Sequence, residues 1–387
     1  MSAVAEPFRV LATCGVFEPG YRGGGPVRSL AHILDTAPPT VEVSLLTSDR
    51  DVGEPLPYPG LSGRWVGRGR ARVFYLATGH VGQWLRLLRE LRSTRFDLLY
   101  VNSLWSPRFT IAPVLAARLG LLRIGRVLVA PRGELSPGAL TLKRFKKRLF
   151  LRLWSPVLRG MGTVWHASAD REAAEIRASC PWARVEINGD QVDLPLEPIP
   201  GDGPHDGPAR LVFLGRITPK KNLLAILSAL LSVTAPVTLD IFGPVEDEPY
   251  WEFCQVLLAK LPHHIRVAYR GPVLPSAVCD TFARYDAFVF PTLGENFGHV
   301  IAESLSASCP VVCTDSTPWT PVLEQGGGTV LSSLAALPAE LSRLASLSPG
   351  ERWDSRVDAG AAYRSWRATR TAGNILEQVL TTPWPAR

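Results

Sequence analysis

Short apolar runs alternate along the chain with stretches in which apolar residues recur at helical spacing. In the first half the runs lie at residues 8–14, 41–47, 72–76, 97–101, 126–130 and 163–167, and the helical stretches include 26–36, 81–93, 108–119 and 169–179. The second half repeats this order, with runs at 210–214, 237–242, 265–269, 286–290 and 310–314 and helical stretches near 219–232, 249–261, 275–283 and 299–308. The alternation predicts an α/β fold of two doubly wound, mostly parallel sheets, with a ligand cleft at the carboxyl ends of their strands.

A segment rich in proline and glycine, residues 195–208, lies near the middle of the chain. Such a composition disfavours both helix and strand, and it is typical of a connection between domains. We therefore predict an N-terminal domain over 1–194, a linker over 195–208 and a C-terminal domain over 209–387.

The composition is that of a folded protein, with 46% hydrophobic and 20% charged residues among 387. No apolar run approaches the roughly 20 residues that span a bilayer, and the N-terminus has no signal-peptide pattern, so we expect a cytoplasmic protein. The six cysteines are scattered and are expected to be reduced thiols. Asp49-Arg50-Asp51 matches a metal-binding D-x-D pattern, but carboxylates after a strand commonly cap turns, so we favour a structural role.

Positive charge is concentrated in the first half. Residues 1–200 hold 27 Lys and Arg against 17 Asp and Glu, whereas residues 201–387 hold 15 against 18. A basic half indicates an anionic partner, and nucleic acid, phospholipid or a pyrophosphate-linked acceptor would each satisfy it. Residues 141–154 interleave cations with Leu, Phe and Trp at near-helical spacing, which is equally compatible with a membrane-surface helix and with a helix packed on its own sheet.

Three segments that follow predicted strands carry the candidate chemistry. After the first strand, a glycine cluster that includes Gly24 and Gly25 opens a helix, and its N–H groups can face an anion or a sugar. After strand 210–214, Arg216 and Lys221 lie near a helix start, where cations oppose the helix dipole unless an anion binds there.

The third segment, residues 291–307, is the most specific. Glu295 lies in a loop and Glu303 follows eight residues later in a helix that begins near Gly298. The helix start can bind a phosphate, while the two carboxylates are suited to accept hydrogen bonds from donor-sugar and ribose hydroxyls, respectively.

Gly215-Arg216 with Lys221, together with Glu295-x7-Glu303, resembles the motifs of the retaining glycosyltransferases of family 4, which have the GT-B fold of two Rossmann-like domains facing across a cleft. The resemblance covers nearly the whole chain. Within that family the chain is similar to bacterial enzymes of exopolysaccharide or cell-envelope glycan assembly, through residues 21–29, 47–51, 130–134 and 294–299.

The resemblance implies that Arg216 and Lys221 bind the donor pyrophosphate, Glu303 the ribose and Glu295 the transferring sugar. Gly24 or Gly25 would lie on the N-domain side of that sugar. The other donor-binding residues would be Gly215, Asn296, Phe297, Gly298, His299 and Val300. Such enzymes retain anomeric configuration without a metal, so we expect no metal and no cofactor. The fold also implies that the last helix, at about 365–381, returns to the N-terminal domain.

The chain departs from the family pattern after the strand at 126–130. Many members carry a histidine near the donor sugar there, whereas this chain has Arg132, which we expect to replace it, and Glu134, which we expect to contact the acceptor. Asn222 stands where many members have glycine.

The sequence thus predicts a retaining hexosyltransferase that uses a UDP- or GDP-sugar and acts on a glycan acceptor linked to lipid pyrophosphate. We expect it at the inner face of the cytoplasmic membrane, without a nucleic-acid partner. A nucleotide-sugar epimerase of the same fold and a non-catalytic GT-B scaffold remain alternatives.

Overall fold

The structure, a computed structural model, describes residues 6–136, 139–140, 144–189, 193–369, 373–382 and 384. The chain forms two compact units, here called unit 1 (Met1–Val192 and Ala372–Arg387) and unit 2 (Asp193–Thr371). Each unit contains one sheet with helices packed on it.

The sheet of unit 1 has eight described strands in the order β3-β4-β2-β1-β5-β6-β7-β8. Only β3 in this described sheet runs antiparallel to its neighbour. The strands are β1 (Phe8–Thr13), β2 (Val41–Ser48), β3 (Trp65–Arg68), β4 (Ala71–Leu76), β5 (Arg95–Asn102), β6 (Arg123–Ala130), β7 (Val164–Ala167) and β8 (Arg184–Ile187).

The helices of unit 1 connect these strands and cover both faces of the sheet. They are α1 (Gly25–Asp35), α2 (Val81–Ser93), α3 (Ala112–Arg118, after a π-helical turn at Pro107–Ile111), α4 (Arg144–Gly160), α5 (Asp170–Ser179) and α6 (Ile375–Thr381). Alternate residues of β1 point to opposite faces, so Leu11 joins one hydrophobic cluster while Val10 and Ala12 join the other. This two-sided burial explains why the strands are continuous apolar runs.

Unit 2 has a parallel sheet of six described strands in the order β11-β10-β9-β12-β13-β14, the order of a dinucleotide-binding sheet. The strands are β9 (Ala209–Leu214), β10 (Val237–Phe242), β11 (Ile265–Gly271), β12 (Ala287–Phe290), β13 (Val311–Thr314) and β14 (Gly328–Leu331). The helices are α7 (Leu223–Leu230), α8 (Glu248–Leu258), α9 (Val278–Phe282), α10 (His299–Ser306), α11 (Leu337–Ser346) and α12 (Pro349–Thr369), and short helical turns lie at Pro219–Lys221, Pro275–Ala277, Thr320–Val322, Leu323–Gly327 and Leu334–Ala336.

Three details differ from the expectations. Segment 195–208 packs within unit 2, because the buried Arg352 donates to the carbonyls of His205 and Gly207 at 2.8 and 2.9 Å. The expected helix over 219–232 is interrupted at Asn222, which has left-handed backbone angles. The expected last helix is two elements, α12 in unit 2 and α6 in unit 1.

Helix α6 is fixed within unit 1 by hydrogen bonds of the residue that precedes it. The Asn374 amide donates to the Ile33 carbonyl and to the Thr36 hydroxyl at 2.8 and 2.9 Å. Ile375, Leu376 and Val379 are fully buried in one of the two hydrophobic clusters of the unit. Across the described residues, the helices are too short or too polar to cross a membrane.

Candidate functional site

A buried ion pair lies at the carboxyl end of the unit 2 sheet. The ammonium of Lys221 lies 2.6 Å from Oε1 of Glu295, and the two side chains are only 12% and 11% exposed. The ammonium also lies 5.1 Å from the centre of the Phe290 ring. The sequence motifs that follow β9 and β12 therefore meet, although 74 positions separate the two residues.

The two loops meet because their strands are neighbours in the sheet. Strands β9 and β12 pair in parallel, so the segments that follow them leave the sheet side by side. The Leu293 amide donates to the Lys220 carbonyl at 2.9 Å, and the side-chain amide of Asn222 donates to the Pro291 carbonyl at 3.1 Å. Asn222, at φ 61°, ends the turn that carries Lys221, and asparagine tolerates that conformation better than most residues.

Both members of the pair have perturbed pKa values. Burial lowers the pKa of the Lys221 ammonium, and the Glu295 carboxylate opposes that effect. Burial alone would raise the pKa of Glu295, but the charge of Lys221 and its hydrogen bond hold that pKa below its ordinary value. Glu295 is therefore a carboxylate at neutral pH, able to accept but not to donate hydrogen bonds.

Helix α10 begins directly beside this pair. Gly298 precedes it at φ 82°, a conformation that favours glycine, and a Cβ there would lie 3.4 Å from that of Glu295. Asn296, His299 and Val300 are partly buried, and Glu303 is 5% exposed within the helix. The predicted residues from Glu295 to Glu303 thus form one continuous loop and helix start.

Aromatic side chains pack under this loop. Phe297 contacts both His299 and Trp319, with ring centres 4.8 and 5.5 Å apart, and Trp319 donates a hydrogen bond to the Phe297 carbonyl. Trp319 in turn packs 4.6 Å from Trp366 of α12, which contacts Tyr363. Nothing in the local sequence pattern around Trp319 indicates this contact with the site.

Arg216 is placed differently from Lys221. Its guanidinium bonds the Glu246 carboxylate at 2.7 Å, and the two side chains are 45% and 46% exposed. Gly243, which precedes Glu246 in the chain, lies against the backbone of Gly215. A Cβ at position 243 would lie 1.9 Å from the Gly215 carbonyl oxygen, so the loops that carry Arg216 and Glu246 are in close contact. Exposed ion pairs contribute little to stability, about 0 to 1 kcal/mol, so Arg216 can exchange Glu246 for another anion at low cost.

The glycine loop of unit 1 is held by a buried aspartate. Gly24, at φ 71°, caps α1 and is followed by Gly25, its first residue. Asp51 is 8% exposed, and its Oδ2 accepts hydrogen bonds from the backbone of Tyr21 and Arg22 at 2.9 and 3.2 Å. Its other oxygen accepts from the Val52 amide at 2.8 Å, so these contacts account for Asp51 as a loop anchor.

Arg132 lies at the carboxyl end of β6 and bonds polar groups of β5. Its guanidinium donates to Oδ1 of Asn102 at 2.9 Å and to the Tyr100 hydroxyl at 2.9 Å. Glu134 accepts hydrogen bonds from the Ser103 hydroxyl at 2.9 Å and the Leu104 amide, and thus fixes the loop after β5. Its contact with an acceptor stays a prediction. Burial raises the pKa of Glu134.

Glu172 is a second loop anchor that the sequence analysis did not identify. It is 2% exposed and accepts hydrogen bonds from the Gly133 amide at 2.7 Å and from Ser168 at 2.8 Å. In the sequence, an acidic residue in the first turn of α5 indicates only a favourable interaction with the helix dipole. Only the fold brings it to the loop after β6.

Comparisons with known proteins agree with this arrangement. Residues 208–346 match the family model described as glycosyl transferases group 1. The matched residues lie within unit 2. Over 122 residues the chain is 28% identical to O-antigen chain mannosyltransferase B of Escherichia coli, and the match spans 30% of this chain and 31% of that relative's length.

Solved structures match almost the whole chain. HepE of Anabaena, crystallised with UDP and glucose, superposes with a TM-score of 0.67 at 14% identity, covering 96% of this chain and 98% of that one. WaaG, a glycosyltransferase involved in lipopolysaccharide biosynthesis, gives 0.61 at 14% identity over 96% and 98%. Sucrose-phosphate synthase of Thermosynechococcus elongatus gives 0.70 at 13% identity over 93% and 96%. The chain has the GT-B fold.

Together the family match and the GT-B fold support a glycosyltransferase. In this GT-B chain, Lys221, Glu295 and Gly298 lie close together in unit 2. Glu303 lies further along α10, and Arg216 follows β9 in the same unit. Gly24, Gly25 and Arg132 belong to unit 1. Their contribution to a donor site stays a prediction.

The pH dependence of stability tests the charge state of Glu295. A carboxyl whose pKa is lowered by folding stabilises the folded state fully above its unfolded pKa, about 4.3, and this contribution disappears as pH falls through the folded pKa. We expect wild type to lose more stability than Glu295→Gln between pH 5 and pH 3 in urea unfolding of unit 2. Parallel losses in the two proteins would contradict a lowered pKa.

Proposed function

We propose that the chain is a retaining glycosyltransferase that moves a hexose from a UDP- or GDP-sugar to a lipid-pyrophosphate-linked glycan during exopolysaccharide or cell-envelope polysaccharide synthesis. The observation that carries the proposal is the buried Lys221–Glu295 pair beside the start of α10. It provides a cation for phosphate and a carboxylate for sugar hydroxyls within one site.

In this proposal each group has a separate task. The ammonium of Lys221 and the guanidinium of Arg216 neutralise the diphosphate, and the N–H groups at the start of α10 bind one of its phosphates. Glu303 accepts hydrogen bonds from the ribose, and Glu295 orients the hexose. An acceptor hydroxyl then forms the new bond to the anomeric carbon while the bond to the β-phosphate oxygen breaks, and the acceptor proton passes to the departing diphosphate.

The donor is tested by incubating the pure protein with UDP- and GDP-hexoses, with and without EDTA and a lipid-linked acceptor extract, and measuring nucleotide release. We expect acceptor-dependent release from one donor, unchanged by EDTA. Lys221→Ala and Glu295→Ala should each lower kcat/KM at least a hundredfold, because both remove contacts to the reacting part of the donor.

The alternatives give different results in the same assay. An epimerase would release nucleotide or convert the sugar without any acceptor. A non-catalytic scaffold would bind without turnover, and loss of release in EDTA would contradict the metal-independent reaction.

A lipid-linked acceptor also requires access to a membrane surface. The composition of α4 is suited to contact with such a surface. Phe145, Leu149 and Leu153 recur every four residues and are 80%, 49% and 67% exposed. The helix contains no acidic residue, and Lys146 and Arg148 are also exposed. Residues 141–143 of the predicted segment lie outside the described residues.

The opposite face of α4 packs into unit 1. In this proposal one face of the helix packs on its own sheet and the other contacts the membrane surface. Trp154 and Leu158 are buried, and the Lys147 ammonium donates to the Ala139 carbonyl at 2.6 Å. Apolar residues flanked by cations fit the interface of an anionic bilayer, where each cation contributes about 1 kcal/mol.

Vesicle sedimentation tests this contact. We expect binding to phosphatidylglycerol vesicles, weaker binding in high salt, and little binding to phosphatidylcholine. The double variant Phe145→Ser, Leu153→Ser should lower the affinity at least tenfold. Phe253→Ser, which removes a 66% exposed aromatic ring from α8 of unit 2, is the matched control and should bind as wild type does. Unchanged binding by the double variant would contradict the proposed contact.

A further inference from the structure

The two carboxylate oxygens of Glu295 have different surroundings. Oε1 accepts two hydrogen bonds, one from the Lys221 ammonium at 2.6 Å and one from the Thr292 hydroxyl at 2.7 Å. In the described part of the chain, both side-chain hydrogen bonds of this carboxylate end on Oε1. Oε2 therefore keeps its capacity to accept a hydrogen bond from a ligand.

Thr292 is held in one place by its backbone. The residue is fully buried, and its carbonyl accepts hydrogen bonds from the hydroxyls of Thr314 and Ser316 at 2.7 and 3.0 Å. Its amide lies 2.7 Å from the Phe290 carbonyl. The side chain thus starts from a fixed point in the loop between β12 and Glu295.

The single proton of the Thr292 hydroxyl has two acceptors within reach. The Lys220 carbonyl lies 3.2 Å away, whereas Oε1 of Glu295 lies at 2.7 Å and carries negative charge. A distance of 2.7 Å is typical of a full O–H···O bond, and a charged acceptor makes the bond stronger. The Thr292 hydroxyl therefore donates its hydrogen bond to Oε1 of Glu295.

We propose that Thr292 is a positioning residue that fixes the carboxylate plane of Glu295, so that Oε1 stays bonded to Lys221 and Oε2 receives a hydroxyl of the donor hexose. This inference rests on the proposed function. Without the Thr292 hydroxyl, the carboxylate keeps one bond to a flexible ammonium, which leaves it free to rotate about its terminal torsion. The sugar hydroxyl then loses a preorganised acceptor, while the diphosphate keeps its cations.

The test compares Thr292→Val, which is close in shape, with Thr292→Ser, which keeps the hydroxyl. Titration calorimetry measures the affinities for UDP-glucose and GDP-mannose and for free UDP and GDP. We expect Thr292→Val to weaken binding of the sugar nucleotide about tenfold relative to wild type. Its affinity for the free nucleotide should stay within about twofold of the wild-type value. In the nucleotide-release assay, kcat of this variant should also be lower than that of wild type. Thr292→Ser should restore both quantities to within about threefold of wild type.

Thr238→Val is the matched control, because this threonine of β10 also bonds a backbone carbonyl, that of Ala209 at 3.3 Å, away from the ion pair. It should bind both ligands as wild type does. Equal affinities of wild type and Thr292→Val for the sugar nucleotide would overturn the inference, as would an equal loss for the free nucleotide. If wild type binds no sugar nucleotide, the proposed function itself is wrong, and the inference falls with it.

Discussion

The arrangement of unit 2 depends on keeping two opposite charges buried and 2.6 Å apart. Removing one partner of a buried ion pair typically costs 3 to 5 kcal/mol, since the other charge is left without compensation. The loops after β9 and β12 are therefore bound to each other by charge as well as by backbone hydrogen bonds such as that from Leu293 to Lys220. A ligand that brings both phosphate and hydroxyl groups can bind without breaking this pair, because its phosphate adds an anion beside Lys221 and its hydroxyls can donate to the second oxygen of Glu295.

In unit 1, carboxylates that are buried (Asp51, Glu172) or partly buried (Glu134) fix loops. Asp51, Glu134 and Glu172 each accept hydrogen bonds from backbone amides of loops at the carboxyl end of the sheet. The glycine loop before α1 and the loops after β5 and β6 are consequently fixed by side chains that come from other parts of the chain. Buried acceptors that satisfy backbone donors are worth more in a low-dielectric interior than at the surface. This explains how glycine-rich segments, which lose much entropy on ordering, keep one conformation.

Much of the fold follows from hydrophobic patterning. Most strands with a continuous apolar run, such as β1 or β12, were predicted within one or two residues, because burial on both faces leaves few polar positions. Strand β6 begins three residues before its predicted start, at the charged Arg123. Strands β3, β8 and β14 were not predicted, since their four residues include glycine or charged side chains and pair at or near sheet edges. The break at Asn222 was missed because the turn at Pro219–Lys221 begins with proline, as the first turn of the following helix could. The local sequence also could not show that Glu134 and Glu172 anchor loops, because their partners lie about 30 to 40 positions away.

We infer that Lys221 and Glu295 contact different parts of one nucleotide sugar. Titration calorimetry of Lys221→Met and Glu295→Gln with UDP-glucose, GDP-mannose, UDP and GDP tests it most directly, with Lys260→Met, an exposed lysine of unit 2, as the control. We expect Lys221→Met to weaken binding of both the free nucleotide and its sugar conjugate at least tenfold, because it removes a cation from the diphosphate. We expect Glu295→Gln to weaken binding of the sugar conjugate alone. Wild-type affinities of both variants for all four ligands would show that neither residue contacts the nucleotide sugar.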